Sequence, residues 1–185
     1  KKYMQEGWSL QRLQREIRPW DELLVRGNGE VSTRRAAFCD QLNVELARLP
    51  TELSYDALEV RHRPSLTGSE AAQQLAARLE TDWRRGHTTL GPHRDGLDML
   101  AEGRPLATHG SSGQQRYSML VLKTAKLEMA RNAGVAPLFL MDDVDSDLHL
   151  ERTVRAVRYL AGRAQVVVTT PREETALELA HDGHL

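Results

Sequence analysis

The stretch Leu138-Phe139-Leu140-Met141-Asp142-Asp143 sets four apolar side chains directly before two carboxylates. A wholly apolar run this short reads as a strand buried on both faces, the habit of a parallel sheet. The two acids then emerge at its carboxyl end, where open α/β sheets gather their ligands. Magnesium takes oxygen ligands, often one or two carboxylates completed by phosphate oxygens. Asp142 can hold such an ion directly or through water, and Asp143 can orient or deprotonate an attacking water. The plainer reading is a strand end closed by two solvated aspartates.

Reading toward the C-terminus, Val144-Asp145-Ser146-Asp147-Leu148-His149 leads into a helix from Leu148 to Leu160 that stops at Gly162. Ser146 or Asp147 suits its N-cap. Val166-Val167-Val168 is a second apolar strand, so the segment is a strand–helix–strand unit. Val168-Thr169-Thr170-Pro171 puts hydroxyls at the end of that strand, where a phosphate-sensing residue can sit or where threonine is simply structural. Residues 172–181 form a last helix.

Toward the N-terminus, Ser111 to Asn132 is helical, with Met119, Leu122, Ala125, Leu127 and Met129 on or near one face and Gly134 closing it. Its start, Gly110-Ser111-Ser112-Gly113-Gln114-Gln115-Arg116, has two readings. Small residues and a helix N-terminus can cradle an anion, or Ser111 is an ordinary N-cap. Before it, Gly91-Pro92-His93-Arg94-Asp95-Gly96 is irregular. Leu97–Leu100 and Leu106–Thr108 read as two short strands around a turn. Residues 57–63 alternate as a half-buried strand does. Ala71 to Arg85 is a helix stopped by Gly86. Residues 3–49 read as an αα-hairpin turning at Asn28-Gly29, with Pro19 interrupting the first helix and Pro50 ending the second.

The whole chain of 185 residues is 40% hydrophobic and 28% charged, with 25 Lys+Arg against 26 Asp+Glu. That balance argues against a strongly basic nucleic-acid binder while leaving room for a local patch. A single cysteine, Cys39, excludes an internal disulfide framework and points to a reducing compartment. Cys39 itself reads as a small core residue. No apolar run approaches the ~18 residues that span a bilayer, and the start carries no apolar signal-peptide region. The first residue is lysine, which raises the expectation of a fragment.

Together the motifs have an order. A Ser-x-Gly-Gln helix start, a strand ending in two acids, a Ser-Asp-Leu and a strand ending in Thr-Thr match the layout of the C-terminal lobe of ABC-type ATPases. Gly91-Pro92-His93-Arg94-Asp95, Ser111-Ser112-Gly113-Gln114-Gln115-Arg116 and Leu140-Met141-Asp142-Asp143-Val144 with Ser146-Asp147-Leu148 more specifically resemble the RecF family of SMC/ABC-type ATPases. The similarity is strong over residues 87–170. It is weaker at Arg63-Pro64-Ser65-Leu66 and Trp20-Asp21-Glu22, which resemble the end of that family's arm.

The resemblance implies an α/β fold: the C-terminal lobe of an ABC-type P-loop ATPase (51–185) preceded by a helical arm remnant (1–50). It implies ATP-dependent binding of duplex DNA near single-strand gaps in recombinational repair and the SOS response, in the cytoplasm, with RecR and RecO as mediators. The weak ATPase works through a composite homodimer site. In that scheme Asp142 serves Mg2+ and Asp143 the hydrolytic water. Ser111, Gly113 and Gln114 contact the γ-phosphate of ATP on the opposite subunit. Ser146 and Asp147 lie across the dimer interface, and Thr170 takes the switch position.

Two departures accompany it. No Gly-x-x-x-x-Gly-Lys-Ser/Thr loop occurs in the chain, so the cradle and lysine for the β- and γ-phosphates must come from an N-terminal Walker A lobe. The chain alone is expected not to hydrolyse ATP. The D-loop also differs from the family pattern, with Asp145 at a usually apolar position and His149 where aspartate is usual. The alternatives are another SMC/ABC-type lobe, or a degenerate interaction module without nucleotide. Elsewhere, His93 and Arg94 read either as a polar cluster near a ligand or as an Arg94–Asp95 network fixing the turn. Arg84, Arg85 and His87 read either as phosphate-backbone contacts or as cations at a helix end.

Overall fold

The computed structural model describes residues 8–53, 57–144 and 150–180. The chain divides into two compact units, Lys1–Cys39 with Arg61–Asp98, and Asp40–Val60 with Met99–Leu185. Among the described residues no helix is long and apolar enough to cross a membrane.

The N-terminal region departs from the expected hairpin. It is one helix, α1 (Leu10–Arg48), which runs through both Pro19 and Asn28-Gly29. Glycine in a helix interior costs about 1 kcal/mol relative to alanine, so local preference opposes this outcome. Tertiary contact decides it. Asn28 is 5% exposed, and its Nδ2 donates to the Leu66 carbonyl at 2.9 Å. The amide that would have stabilised a turn is spent on a partner 38 residues away. Leu24 and Val25 of the same helix pack on the buried cluster of Leu66, Ala71 and Leu75. Leu75 belongs to α2 (Ala71–Arg85), which ends as expected at Gly86 in the left-handed conformation, φ 70°.

A three-stranded sheet has the order β1 (Leu58–Arg63), β2 (Gly96–Ala101), β3 (Arg104–Pro105). β2 and β3 are antiparallel, with Leu100 opposite Pro105 and Ala101 opposite Arg104. Glu102 and Gly103 both take positive φ, as a tight two-residue hairpin loop requires. The expected strand at Leu106–Thr108 is instead a helical turn, α3 (Leu106–His109). Pro105 has no N–H to extend the ladder, and Leu106 turns into the core.

The second unit holds α4 (Ser112–Asn132), β4 (Leu138–Met141), α5 (Leu150–Ala161), β5 (Gln165–Val168) and α6 (Glu173–Ala180). β4 and β5 pair in parallel, Leu138 opposite Gln165 through Met141 opposite Val168. Strand, helix and parallel strand follow one another as expected. The burial of β4 does not. Met141 and Val168 pack on a core of Val144, Val154, Val157 and Leu179. On the other face Leu138 is 56% exposed, Leu140 68% and Val167 47%. A continuous apolar run satisfies a strand with two covered faces; here one is covered by this chain's own helices and the other stands open.

Candidate functional site

The ends of β4 and β5 are tied by backbone and side chain together. The Thr169 N–H donates to the Met141 carbonyl at 2.9 Å, and the Val144 N–H donates to the Thr169 carbonyl at 3.1 Å. Between these rungs the Thr169 hydroxyl does two things. It accepts the Asp143 N–H at 2.9 Å and donates to Asp142 Oδ1 at 2.5 Å. Asp143 sits at φ 50°, a left-handed conformation that an L-residue with a side chain adopts at a cost of roughly 1–2 kcal/mol. Both aspartates are exposed. Among the described residues the Asp142 carboxylate is held through one oxygen, and the Asp143 carboxylate has no partner. A cleft of about 250 Å3 beside them is lined by Arg116, Met119 and Lys123 of α4 along with Leu140.

The donor chemistry fits a hard cation in one particular way. Among the described residues no three acidic, histidine or cysteine side chains converge, so those residues offer no all-protein metal cage. Two neighbouring exposed carboxylates suit magnesium that completes its shell with water and phosphate oxygens.

Ser111, Gly113, Gln114 and Thr170 are not among the residues that line this cleft. Ser111 is the N-cap of α4 and forms a reciprocal capping box with Gln114. The Gln114 N–H donates to Ser111 Oγ at 3.2 Å, and the Ser111 N–H donates to Gln114 Oε1 at 2.8 Å. The two side chains satisfy each other, and Gly113 lies in the first turn between them. The N–H groups of Ser112 and Gly113 have no intrahelical acceptor, as at any helix start. Thr170 closes a turn: its Oγ1 accepts the Arg172 N–H at 3.1 Å. Ser146 and Asp147, together with Asp145 and His149, fall outside the described residues.

Thr169 is a site residue that the sequence did not single out. Both threonines stand in the same quoted motif. Only the strand register, with Met141 opposite Val168, sets residue 169 rather than 170 against Asp142.

The Gly91-to-Gly96 segment builds a different arrangement. The Asp95 carboxylate is 3% exposed. It receives Arg35 Nη1 at 2.6 Å, His62 Nε2 at 2.9 Å and the Ser65 N–H at 2.8 Å. Burial raises the pKa of this acid. The hydrogen bonds from the Ser65 amide, His62 and Arg35 outweigh burial and leave it below the usual carboxylate value. Of the two readings of this turn, the Arg94–Asp95 network is not the one formed: Arg35 supplies the guanidinium, donating also to the Pro92 carbonyl at 2.6 Å. Gly91 takes φ 126°, closed to residues with side chains, where Ser65 Oγ accepts its N–H and donates to its carbonyl. A cavity of about 620 Å3 beside Asp95 is walled by Val31, Phe38 and Leu97. Its one acid is already satisfied, so it lacks the free carboxylates of the β4 end.

The fold is that of an ABC-type ATPase lobe, as its match to two solved structures shows. A solved structure of the recombination mediator protein RecF-ATPrS in the RecFOR pathway superposes on 94% of this chain and 48% of its own, with a TM-score of 0.72 at 24% identity. A second, RecF-ATP in the same pathway, covers 83% of this chain and 44% of its own, with a TM-score of 0.64 at 26% identity. No family model matches the chain. Curated relatives do. The DNA replication and repair protein RecF of Geotalea daltonii is 35% identical over 82% of this chain and 45% of the relative. That of Gloeobacter violaceus is 34% identical over 82% and 44%, and that of Myxococcus xanthus 34% over 83% and 45%. The chain belongs to the RecF family, and it spans about half the length of the curated relatives it matches.

Proposed function

We propose that this chain carries the metal- and water-handling part of a RecF-type ATPase that binds gapped DNA under the control of ATP. The observation that carries the reading is the exposed Asp142–Asp143 pair at the end of a parallel strand pair. Kinship with RecF proteins, two of them solved in ATP-type forms, supports the choice of nucleotide. In this reading residues 1–50 belong to the arm and 51–185 to the ATPase lobe.

Asp142 would hold Mg2+ through the oxygen that Thr169 leaves free. The ion, when bound, supplies charge neutralisation on the transferring phosphoryl group. Asp143, exposed and beside it, takes the proton of the attacking water. The Gly-rich phosphate loop that this sequence lacks comes from an N-terminal Walker A lobe. The open face of Leu138, Leu140 and Val167 supports that division, because an apolar sheet face of this kind calls for a cover. Ser111, Gly113 and Gln114 reach ATP bound to the second subunit of a homodimer, with Ser146 and Asp147 at the interface and Thr170 near the γ-phosphate. The working partners are DNA and the RecR and RecO mediators, and the setting is cytoplasmic repair.

The alternative is an interaction module that binds no nucleotide. The mutual satisfaction of Ser111 and Gln114 favours it. Both readings meet one test: Mg·ATP binding and hydrolysis by the chain alone, and again with the first half of a RecF relative supplied. The proposal expects neither activity alone and slow, Mg2+-dependent hydrolysis on reconstitution. A reconstituted pair that binds DNA with ATP present or absent alike, and turns over no ATP, overturns it.

A further inference from the structure

We propose that Thr169 is the positioning residue of the acid pair. Its single hydroxyl fixes both the rotamer of the Asp142 carboxylate and the backbone twist that aims Asp143. The inference rests on the ATPase reading above and assigns a role to a residue that reading does not use.

The argument starts from the two bonds of one oxygen. A threonine hydroxyl has one proton and two lone pairs. The proton goes to Asp142 Oδ1, and one lone pair takes the Asp143 N–H. Engaging one carboxylate oxygen stops rotation about the Cβ–Cγ bond and presents the second oxygen outward. Anchoring the Asp143 amide holds that residue at φ 50°, which its side chain would otherwise relax. The next residue, Val144, is buried in the core and its N–H is bound to the Thr169 carbonyl. The strained residue therefore sits between a hydroxyl anchor and a packed anchor.

Such outer contacts to a metal-ligating carboxylate commonly matter by about 10–100-fold in affinity or activity. The hydroxyl touches neither the phosphate nor the water in this scheme. It acts through Asp142 and Asp143. The Thr170 hydroxyl pairs with the Arg172 backbone.

Three variants test the role: Thr169→Val, which keeps the shape and drops the hydroxyl; Thr169→Ser, which keeps the hydroxyl; and Thr170→Val. The first readout needs no nucleotide or metal. Amide hydrogen exchange at Asp143 in the 185-residue chain should quicken about tenfold in Thr169→Val and stay near the parent in the other two. The second readout is hydrolysis with the RecF first half supplied. Thr169→Val should lower kcat and raise the Mg2+ concentration for half-maximal rate, each by about 10–100-fold, with the ATP KM little changed. Thr169→Ser should restore both.

Parent-like exchange and Mg2+ dependence in Thr169→Val overturn the inference. So does a defect that Thr169→Ser shares equally, because then the methyl group and not the hydroxyl matters. Asp143→Asn separates the two levels. If that variant hydrolyses ATP like the parent, or the parent hydrolyses none, the ATPase reading fails. The exchange result still decides whether Thr169 holds Asp143.

Discussion

Asp95 and the Asp142–Asp143 pair put the same functional group to opposite uses. Asp95 is buried and receives a guanidinium, an imidazole and an amide, so both of its oxygens are engaged within the chain. Asp142 and Asp143 stand exposed; the Thr169 hydroxyl donates to the Asp142 carboxylate and accepts only the backbone N–H of Asp143. A buried carboxylate must be satisfied within the chain or it costs several kcal/mol. An exposed one is kept solvated until a ligand arrives, and its free oxygens are its capacity for chemistry. Motif spelling does not separate the two cases, since all three aspartates sit in runs that resemble one family. Surroundings do.

The comparison breaks most readily at Asp143. Replacing it with asparagine should lower ATP turnover of the reconstituted protein about 10²–10⁴-fold, while urea unfolding stays within about 0.5 kcal/mol of the parent, as for an exposed side chain. A large loss of stability would place Asp143 with the structural acids. The converse holds at Asp95. Asp95→Ala leaves Arg35, His62 and the Ser65 amide facing an empty site and should cost about 3–5 kcal/mol in urea unfolding. A milder loss, with turnover abolished, would move Asp95 to the functional side.

Acidity sharpens the contrast further. The Asp95 carboxyl titrates below its unfolded value of about 3.9. Between those two values the unfolded chain binds more protons, so stability rises with pH there. The Asp95 contribution is complete above about pH 5 and is lost as pH falls through the folded value. Equilibrium unfolding from pH 6 to 2.5 should show this acid limb in the parent and a flatter one in Asp95→Asn. The smallest effect concerns Ser111. As a cap alone, Ser111→Ala costs about 1 kcal/mol in unfolding and leaves the ATP KM unchanged. A raised KM at that modest stability cost would show that the hydroxyl also meets phosphate.

What the sequence made legible was what local chemistry decides. Ser111 before a helix, Gly86 after one and the β4–α5–β5 alternation all follow from caps, left-handed glycine and periodicity. What escaped it depended on distant partners. Asn28-Gly29 spells a turn, but the Leu66 carbonyl captures the Asn28 amide and the helix continues. Leu106 reads as strand until Pro105 ends the ladder. Nothing in the spelling of Thr169-Thr170 says which hydroxyl meets Asp142; the pairing of β4 with β5 sets Thr169 there. An apolar run announces that a strand will be covered without saying by what.

That open face of β4 and β5 has a practical side. Three large aliphatic side chains in a patch are what chaperones and hydrophobic dyes bind, and what drives association as concentration rises. Produced by itself, the chain will shed material on concentration and light up an apolar fluorophore while still cooperatively folded. Yield and dye signal then become a meter for whatever covers the sheet, because a true cover silences both at once.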